Sequence, residues 1–232
     1  MLITVLTLFP EMFPGILGHS LPGKSLGTLW KLRIVNIRDF ALDKHKTVDD
    51  TPYGGGSGMI MKPDVINSAL MYALSLYKDT PEIIYMTPRG RVFKQEIAKQ
   101  ISAKKAGMIL LCGRYEGIDQ RVIEHWKQHH NMHEISIGDY VLFGGEIPAM
   151  VVIETCLRLI PGIMNNKNSI EDESFSNGLL EYPQYTRPKI WNNLVVPEVL
   201  LSGNHKEIEK WRVSQSEQIT KSIRPDLWQM YK

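Results

Sequence analysis

Three groups of residues in this sequence have the types and spacing that chemistry requires. Glu171, Asp172 and Glu173 stand side by side in the polar stretch IEDESF. Adjacent carboxylates repel one another, and a buried member of such a run is suited to take a proton near neutral pH. The plainer reading is a solvated charge run in a loop. Glu154 and Arg158, the only charged residues of the apolar run AMVVIETCLRLI, stand four apart and so on one side of a helix. They form either an ion pair on that helix's wet face or a guanidinium held where negative charge develops. The third group is the loop IGDYVLFGGEIP, Ile137 to Pro148. Its glycines open the backbone to a ligand, but it lacks the lysine, arginine or GxGxxG spacing of a phosphate cradle. It carries two carboxylates instead, Asp139 and Glu146.

Two weaker signals need weighing. GHSLPGKS, Gly18 to Ser25, satisfies the P-loop pattern GxxxxGK[ST] and would make the chain a nucleotide hydrolase. A working P-loop leaves a strand at its first glycine, whereas Pro10 and Pro14 intervene here and no strand ends in the aspartate that magnesium needs. A chance match is the better account. PYGGGSGM, with Tyr53, Gly54 and Gly55, is a mobile glycine loop or a linker. YTRP, RDF and DKHKT interleave aromatics with bases, so Arg187 and its neighbours are candidates for contacting RNA phosphates and stacking on unpaired bases.

The composition sets limits on these readings. The 27 lysines and arginines nearly balance the 25 aspartates and glutamates, so overall charge gives no nucleic-acid footprint and an RNA partner has to be argued from local sites. The two cysteines, Cys112 and Cys156, have no metal-ligand spacing and sit in apolar runs, which points to a reducing compartment. No apolar run approaches the roughly 20 residues that span a bilayer, and the start MLITVLTLFPEMF lacks a basic leader. A cytoplasmic protein without a membrane partner is expected.

The elements that position these groups follow from periodicity. LITVLTLF, LRIVNI, EIIYM, GMILLC and HEISIG read as buried strands, with helical patterns over Lys62 to Tyr77 and Phe93 to Lys105 between them. This predicts a parallel α/β sheet covered on both faces, with ligands beyond the carboxyl ends of its strands. The segments there are TPRG, GRYEG and GDYVLFGGE, all carrying glycine. AMVVIETCLRLI, apolar on nearly every face, predicts an interior helix with Pro148 in its first turn. After it comes a long polar stretch, IMNNKNSIEDESFSNG, and then a helix capped by Asn204 with Glu207 three residues on. The segment DKHKTVDDTPYGGGSGM reads as structureless. The expected organisation is a domain over 1–160, a linker or lid over 161–178 and a small helical domain over 179–232.

LFPEMF, RDF, TVDD with PYGGGSGM, CGRYEGID, SIGDYVL with GGE and PAM, RLIPG, GLLEYPQYTRP and VLLSGNHKEIEKWR occur in an order that resembles the bacterial tRNA (guanine-N1-)-methyltransferases of the SPOUT class. The likeness spans nearly the whole chain. It implies an α/β domain whose carboxyl-terminal part ties a deep trefoil knot, a small helical tRNA-binding domain, and a homodimer with its active site shared between subunits. The implied reaction methylates ring N1 of the guanosine immediately 3′ of the anticodon, from S-adenosylmethionine. The implied cofactor residues are Tyr85, Met86, Thr87 and Pro88; Gly113, Tyr115 and Glu116; Ile137, Gly138, Asp139, Tyr140, Val141 and Leu142; and Gly144, Gly145 and Pro148. Arg158 matches the catalytic arginine. The catalytic aspartate falls on Glu173, with Asp172 next to it as a competitor. Phe143 stands where a serine is usual. Gly203 and Trp211 match RNA-binding positions. Family members are thought to use magnesium, for which no residue cluster here has ligand spacing. A non-catalytic RNA-binding module of the same fold is the remaining alternative.

Overall fold

The computed structural model describes residues 1–164 and 173–231, so Glu171, Asp172 and the rest of 165–172 within the expected linker lie outside the described residues. Chain contacts divide the protein into two compact units, Met1–Asn165 and Asn166–Lys232.

The first unit is built on a five-stranded sheet. Strands β1 (Leu2–Thr7), β2 (Lys31–Asn36), β5 (Glu82–Val92), β6 (Met108–Cys112) and β7 (Met132–Ser136) pair in the order β2-β1-β6-β5-β7, and every pairing is parallel. These are the five strands the sequence predicts. Parallel strands are buried on both faces, so they read as apolar runs rather than as alternation. All five residues of β6, MILLC, are buried. Helices α3 (Gln95–Ala103) and α5 (Glu146–Arg158) join one hydrophobic cluster, which includes Ile3, Val5, Leu110 and Trp30. Helices α2 (Pro63–Ser75) and α4 (Gln120–His129) join the other, with Leu6, Ile109, Leu111 and Trp126. Alternate residues of β1 and β6 divide between the two clusters, as strand periodicity requires.

β5 is interrupted where it matters for the site. Met86 and Arg91 both stand opposite Ile135 of β7, so residues 87 to 90 bulge out of the sheet. Pro88 cannot donate to a ladder, and Gly90 lies so close to β7 that a Cβ would stand 2.4 Å from the backbone nitrogen of Ile135. The bulge therefore projects Thr87 and Pro88 beyond the carboxyl ends of the strands.

Two expectations are corrected here. The segment before α2 is not structureless: β3 (Asp49–Asp50) pairs antiparallel with β4 (Ile60–Met61) and closes the base of the glycine loop. Met61 also bonds Gly117 and Asp119 through its backbone, which local periodicity over two residues could not reveal. Nor is α5 buried all round. Ile147 is 53% exposed and Val151 38%, and Ile16, on a neighbouring 3-10 turn, is 60% exposed. An apolar face of the helix is thus left uncovered in the chain.

The P-loop match fails on structure. Helix α1 (Ser20–Ser25) follows a 3-10 turn rather than a strand, and the buried Ser25 hydroxyl bonds the carbonyls of Leu21 and Pro22, both at 2.9 Å.

In the second unit, a hairpin of β8 (Ile190–Trp191) and β9 (Leu194–Val195) turns on Asn192 and Asn193, whose φ of 50° and 61° are those of a type I′ turn. Helix α6 (His205–Ile223) is capped by the Asn204 side chain, which accepts from the amides of Lys206 and Glu207. Glu207 does not return the bond, because its carboxylate pairs with Lys210. Helix α7 (Pro225–Tyr231) follows.

Candidate active site

Three loops that leave the sheet at one edge meet in a cleft of about 220 Å³. It is lined by residues 85–88 from the end of β5 and its bulge, 113–117 after β6, 135–138 and 140–145 after β7, and Pro148 in α5. Every cofactor residue implied by resemblance lines it except Asp139, which is exposed. Arg114, Gly117, Ser136 and Phe143 line it as well.

The close packing of the three loops explains their glycines. A Cβ on Gly145 would stand 2.7 Å from Cys112 Cα and 3.0 Å from the Gly113 nitrogen, and the Gly145 amide donates to the Gly113 carbonyl at 3.0 Å. A Cβ on Gly113 would lie 3.0 Å from the ring of Tyr85. The loops after β5, β6 and β7 are thus stacked on one another with no room for side chains between them. Burial pushes the Tyr85 hydroxyl above its usual pKa. It also pushes the Cys112 thiol well up, with the Glu146 carboxylate adding to the effect. Tyr115 holds φ at +58°, an uncommon conformation for a non-glycine residue, at the turn that forms the cleft wall. The glycine loop of residues 53–59 reaches the rim. The Glu116 amide donates to the Met59 carbonyl at 3.0 Å, and a Cβ on Gly58 would strike the Glu116 side chain at 2.4 Å.

The lining is rich in backbone and in apolar side chains. Arg114 is the cation on it, and its Nε lies 3.0 Å from Glu146 Oε2. Glu116 is the carboxylate on the wall. Tyr140 to Phe143 form the outer lip, with Val141 84% and Phe143 98% exposed. Such a cleft is below the roughly 300 Å³ of a usual ligand pocket.

The other predicted residues are placed as follows. Arg158 is on the exposed side of the last turn of α5, and Glu154 makes no ion pair among the described residues, so the expected i,i+4 pair is not formed. In the second unit, Glu173 begins a tight turn in which its carbonyl accepts from the Ser176 amide at 3.1 Å. It lines a shallow groove with Leu180, Tyr182 and Arg212, whose guanidinium lies 4.8 Å over the Tyr182 ring. Trp211 packs 6.2 Å from Tyr185, centroid to centroid. Arg187 and Gly203 are exposed, Gly203 with φ +71° and open space around it. Tyr53 is 99% exposed, and Gly54 and Gly55 hold φ of +87° and +77° in the first unit's glycine loop. Among the described residues no group of three or more His, Cys, Asp or Glu could hold a metal ion, and no helix is long and apolar enough to cross a membrane.

Nothing in the sequence signals the contact between Tyr182 and Arg212. Arg114 falls within the run from Gly113 to Glu116 that the resemblance places at the cofactor, but its pairing with Glu146 has no signal near it in the chain.

A family model described as tRNA (Guanine-1)-methyltransferase TrmD matches residues 1–230 of this chain. Among curated proteins, the chain is similar to a tRNA (guanine-N(1)-)-methyltransferase of Wolbachia pipientis subsp. Culex pipiens, 56% identical over 97% of this chain and 96% of the relative. A protein of the same name from Rhodospirillum rubrum is 54% identical over 98% and 92%. One from Rickettsia rickettsii is 52% identical over 97% and 96%.

Proposed function

The chain belongs to the tRNA (guanine-1)-methyltransferase family, and we propose that its reaction is transfer of a methyl group from S-adenosylmethionine to ring N1 of the guanosine immediately 3′ of the anticodon. It is a tRNA-modifying enzyme, and we place it in the cytoplasm. The observation that carries this reading is the single cleft formed by three glycine-bearing loops, in a chain matched to the family along its length.

The cleft suits the donor. Ile137, Leu142 and Pro148 offer apolar walls to an adenine, and closely approaching backbone can hold a ribose and an amino acid. Its arginine is already paired with Glu146, so no cation is left for a phosphate, while the carboxylate of Glu116 is compatible with a positive sulfonium. When bound, the donor supplies an electrophilic methyl group.

The chain's own residues do the rest. The guanine ring N–H is neutral and weakly nucleophilic, so its proton must leave as the new bond forms. Glu173 is assigned the role of general base. Loss of that proton moves negative charge to the guanine carbonyl oxygen, where the Arg158 guanidinium stabilises it. An anticodon-loop target is already unpaired, which lowers the cost of presenting it. Residues 179–232 are assigned to tRNA binding, through Arg187, Gly203 and Trp211, with Tyr53, Gly54 and Gly55 contributing from the first unit. Residues 161–178 link the two parts. The loops around the cleft are assigned to a trefoil knot. The uncovered face of Ile16, Ile147 and Val151 is assigned to a homodimer that shares its active site between subunits. No magnesium site is assigned.

The test is a methyl-transfer assay with labelled S-adenosylmethionine on two tRNA transcripts differing only in the base before the target guanosine. The resemblance implies a second guanosine before the target, so transfer to the transcript with a guanosine there is expected. Glu173→Gln should lower the rate by about 10²–10⁴-fold, and Arg158→Ala by about 10²–10³-fold. No transfer to either transcript would overturn the proposal.

A further inference from the structure

Glu146 opens helix α5, is 1% exposed, and does not line the cleft. Its Oε1 accepts the Thr7 hydroxyl at 2.7 Å, and that same Thr7 oxygen accepts the Phe9 amide at 2.9 Å. Its Oε2 lies 3.0 Å from Arg114 Nε, off the hydrogen-bond axis, and neither atom has a hydrogen-bond partner among the described residues. The pair is therefore held by charge in a place that water does not reach. The rest of the guanidinium is committed as well. Nη1 donates to the Phe143 carbonyl at 3.3 Å, Nη2 meets Met12 Sδ at 3.4 Å, and the central carbon lies 4.2 Å over the Phe9 ring. A Cβ on Gly144 would stand 2.4 Å from Arg114 Nε and 2.7 Å from Glu146 Oε2, so only glycine lets the backbone pass over the pair.

One buried charge pair thus joins three segments: the turn after β1, the loop after β6, and the end of the loop after β7. Two of the three are walls of the cleft. A buried ion pair is a poor device for stability, since well-packed apolar residues do as well or better, but its direction fixes what it touches. Here it touches the carbonyl of Phe143, next to the glycines that carry the Gly145–Gly113 backbone bond. Because Phe143 itself projects into solvent, its own packing cannot hold this turn.

We propose that Glu146 is a positioning residue of the donor site, acting through Arg114 to fix the 143–145 turn against the loop after β6. The proposal rests on the methyl-transfer reading for its kinetic consequence but not for its structural one. Glu146 never meets the donor; it keeps the guanidinium aimed at the Phe143 carbonyl.

The test uses the full-length protein with Glu146→Gln, which keeps an oxygen for Thr7 and removes the charge, and Glu146→Asp, which keeps the charge. In Glu146→Gln the KM for S-adenosylmethionine and the dissociation constant for S-adenosylhomocysteine should rise about ten- to a hundredfold, the scale expected when a supporting residue lets a site shift by up to an ångström. The kcat at saturating donor and the affinity for tRNA should stay as in the parent, and Glu146→Asp should recover part of the loss. Hydrogen exchange at the Gly145 amide should quicken in Glu146→Gln with no donor present. If donor affinity is unchanged while only the melting temperature falls, Glu146 is merely structural and the proposal is overturned; unchanged exchange at Gly145 overturns it too. A parent protein that binds no S-adenosylhomocysteine would instead defeat the methyl-transfer reading, leaving Gly145 exchange to decide the role of Glu146.

Discussion

Replacing Gly145 by alanine tests the stacked-loop description of the cleft most directly. Gly145 has φ −82°, which alanine adopts without strain, so the substitution acts through space alone. The new methyl would stand 2.7 Å from Cys112 Cα, 3.0 Å from the Gly113 nitrogen and 3.2 Å from Cys112 Cβ. Two of these three atoms are backbone of β6 and its exit, where Cys112 pairs with Met86 of β5. Ordinary contact begins at 3.4 Å, so the loop must retreat by about 0.7 Å, and overpacking of this kind costs about 1–3 kcal/mol. If the retreat opens the donor site, the dissociation constant for S-adenosylhomocysteine rises about 5- to 150-fold. If the strain stays in the fold, the melting temperature drops by about 2–4 °C for each kcal/mol. Titration calorimetry and thermal melting together account for both routes. Gly55→Ala is the control, because its Cβ meets nothing within 4 Å and its cost is that of φ +77° alone. Were Gly145→Ala to bind and melt as the parent does, the loops would not be packed as described.

The remaining tests address other parts of the molecule. Phe143→Ser should change stability by no more than about 0.5 kcal/mol, since the side chain is 98% exposed, and denaturant unfolding would show it. The Tyr77 hydroxyl donates to the Met108 carbonyl at 2.7 Å and meets Thr4 Oγ1 at 2.9 Å, and burial pushes its pKa up to about 12 from 10.0. Its contribution is therefore complete below pH 10 and is lost as pH rises from 10 towards 12. Parent and Tyr77→Phe unfolding curves should converge across that window, and a gap that widens there would contradict the sign. Cys112 and Cys156 are both buried with thiol pKa values raised by burial, Cys156 to about 12. Both should resist a thiol reagent in the native protein and react on unfolding, and rapid native labelling of either would refute their placement.

The sequence determined the sheet and the edge at which the site forms. Buried parallel strands must be continuous apolar runs, so EIIYM, GMILLC and HEISIG announce themselves, and the glycine-bearing segments after them have to share the strands' carboxyl ends. The Asn204 cap was legible for the same local reason: an N-cap satisfies amides two and three residues away. What lay beyond reach was set by groups distant in the chain. Glu146 reads as one of two carboxylates in a loop, and nothing near it tells that Thr7, 139 residues earlier, and Arg114 take it out of solvent while Asp139 stays in water. The apolar run of α5 predicts burial, but only the packing shows that Ile147 and Val151, with Ile16 beside them, stay uncovered. The pairing of Met61 with Gly117, which brings the glycine loop to the rim of the cleft, is likewise a contact between segments more than fifty residues apart. Periodicity and capping act over one or two turns of chain and can be read from composition and spacing. Burial of a charge, and the side of a helix that stays uncovered, depend on which distant segments the fold brings together, and the tertiary structure alone decides that.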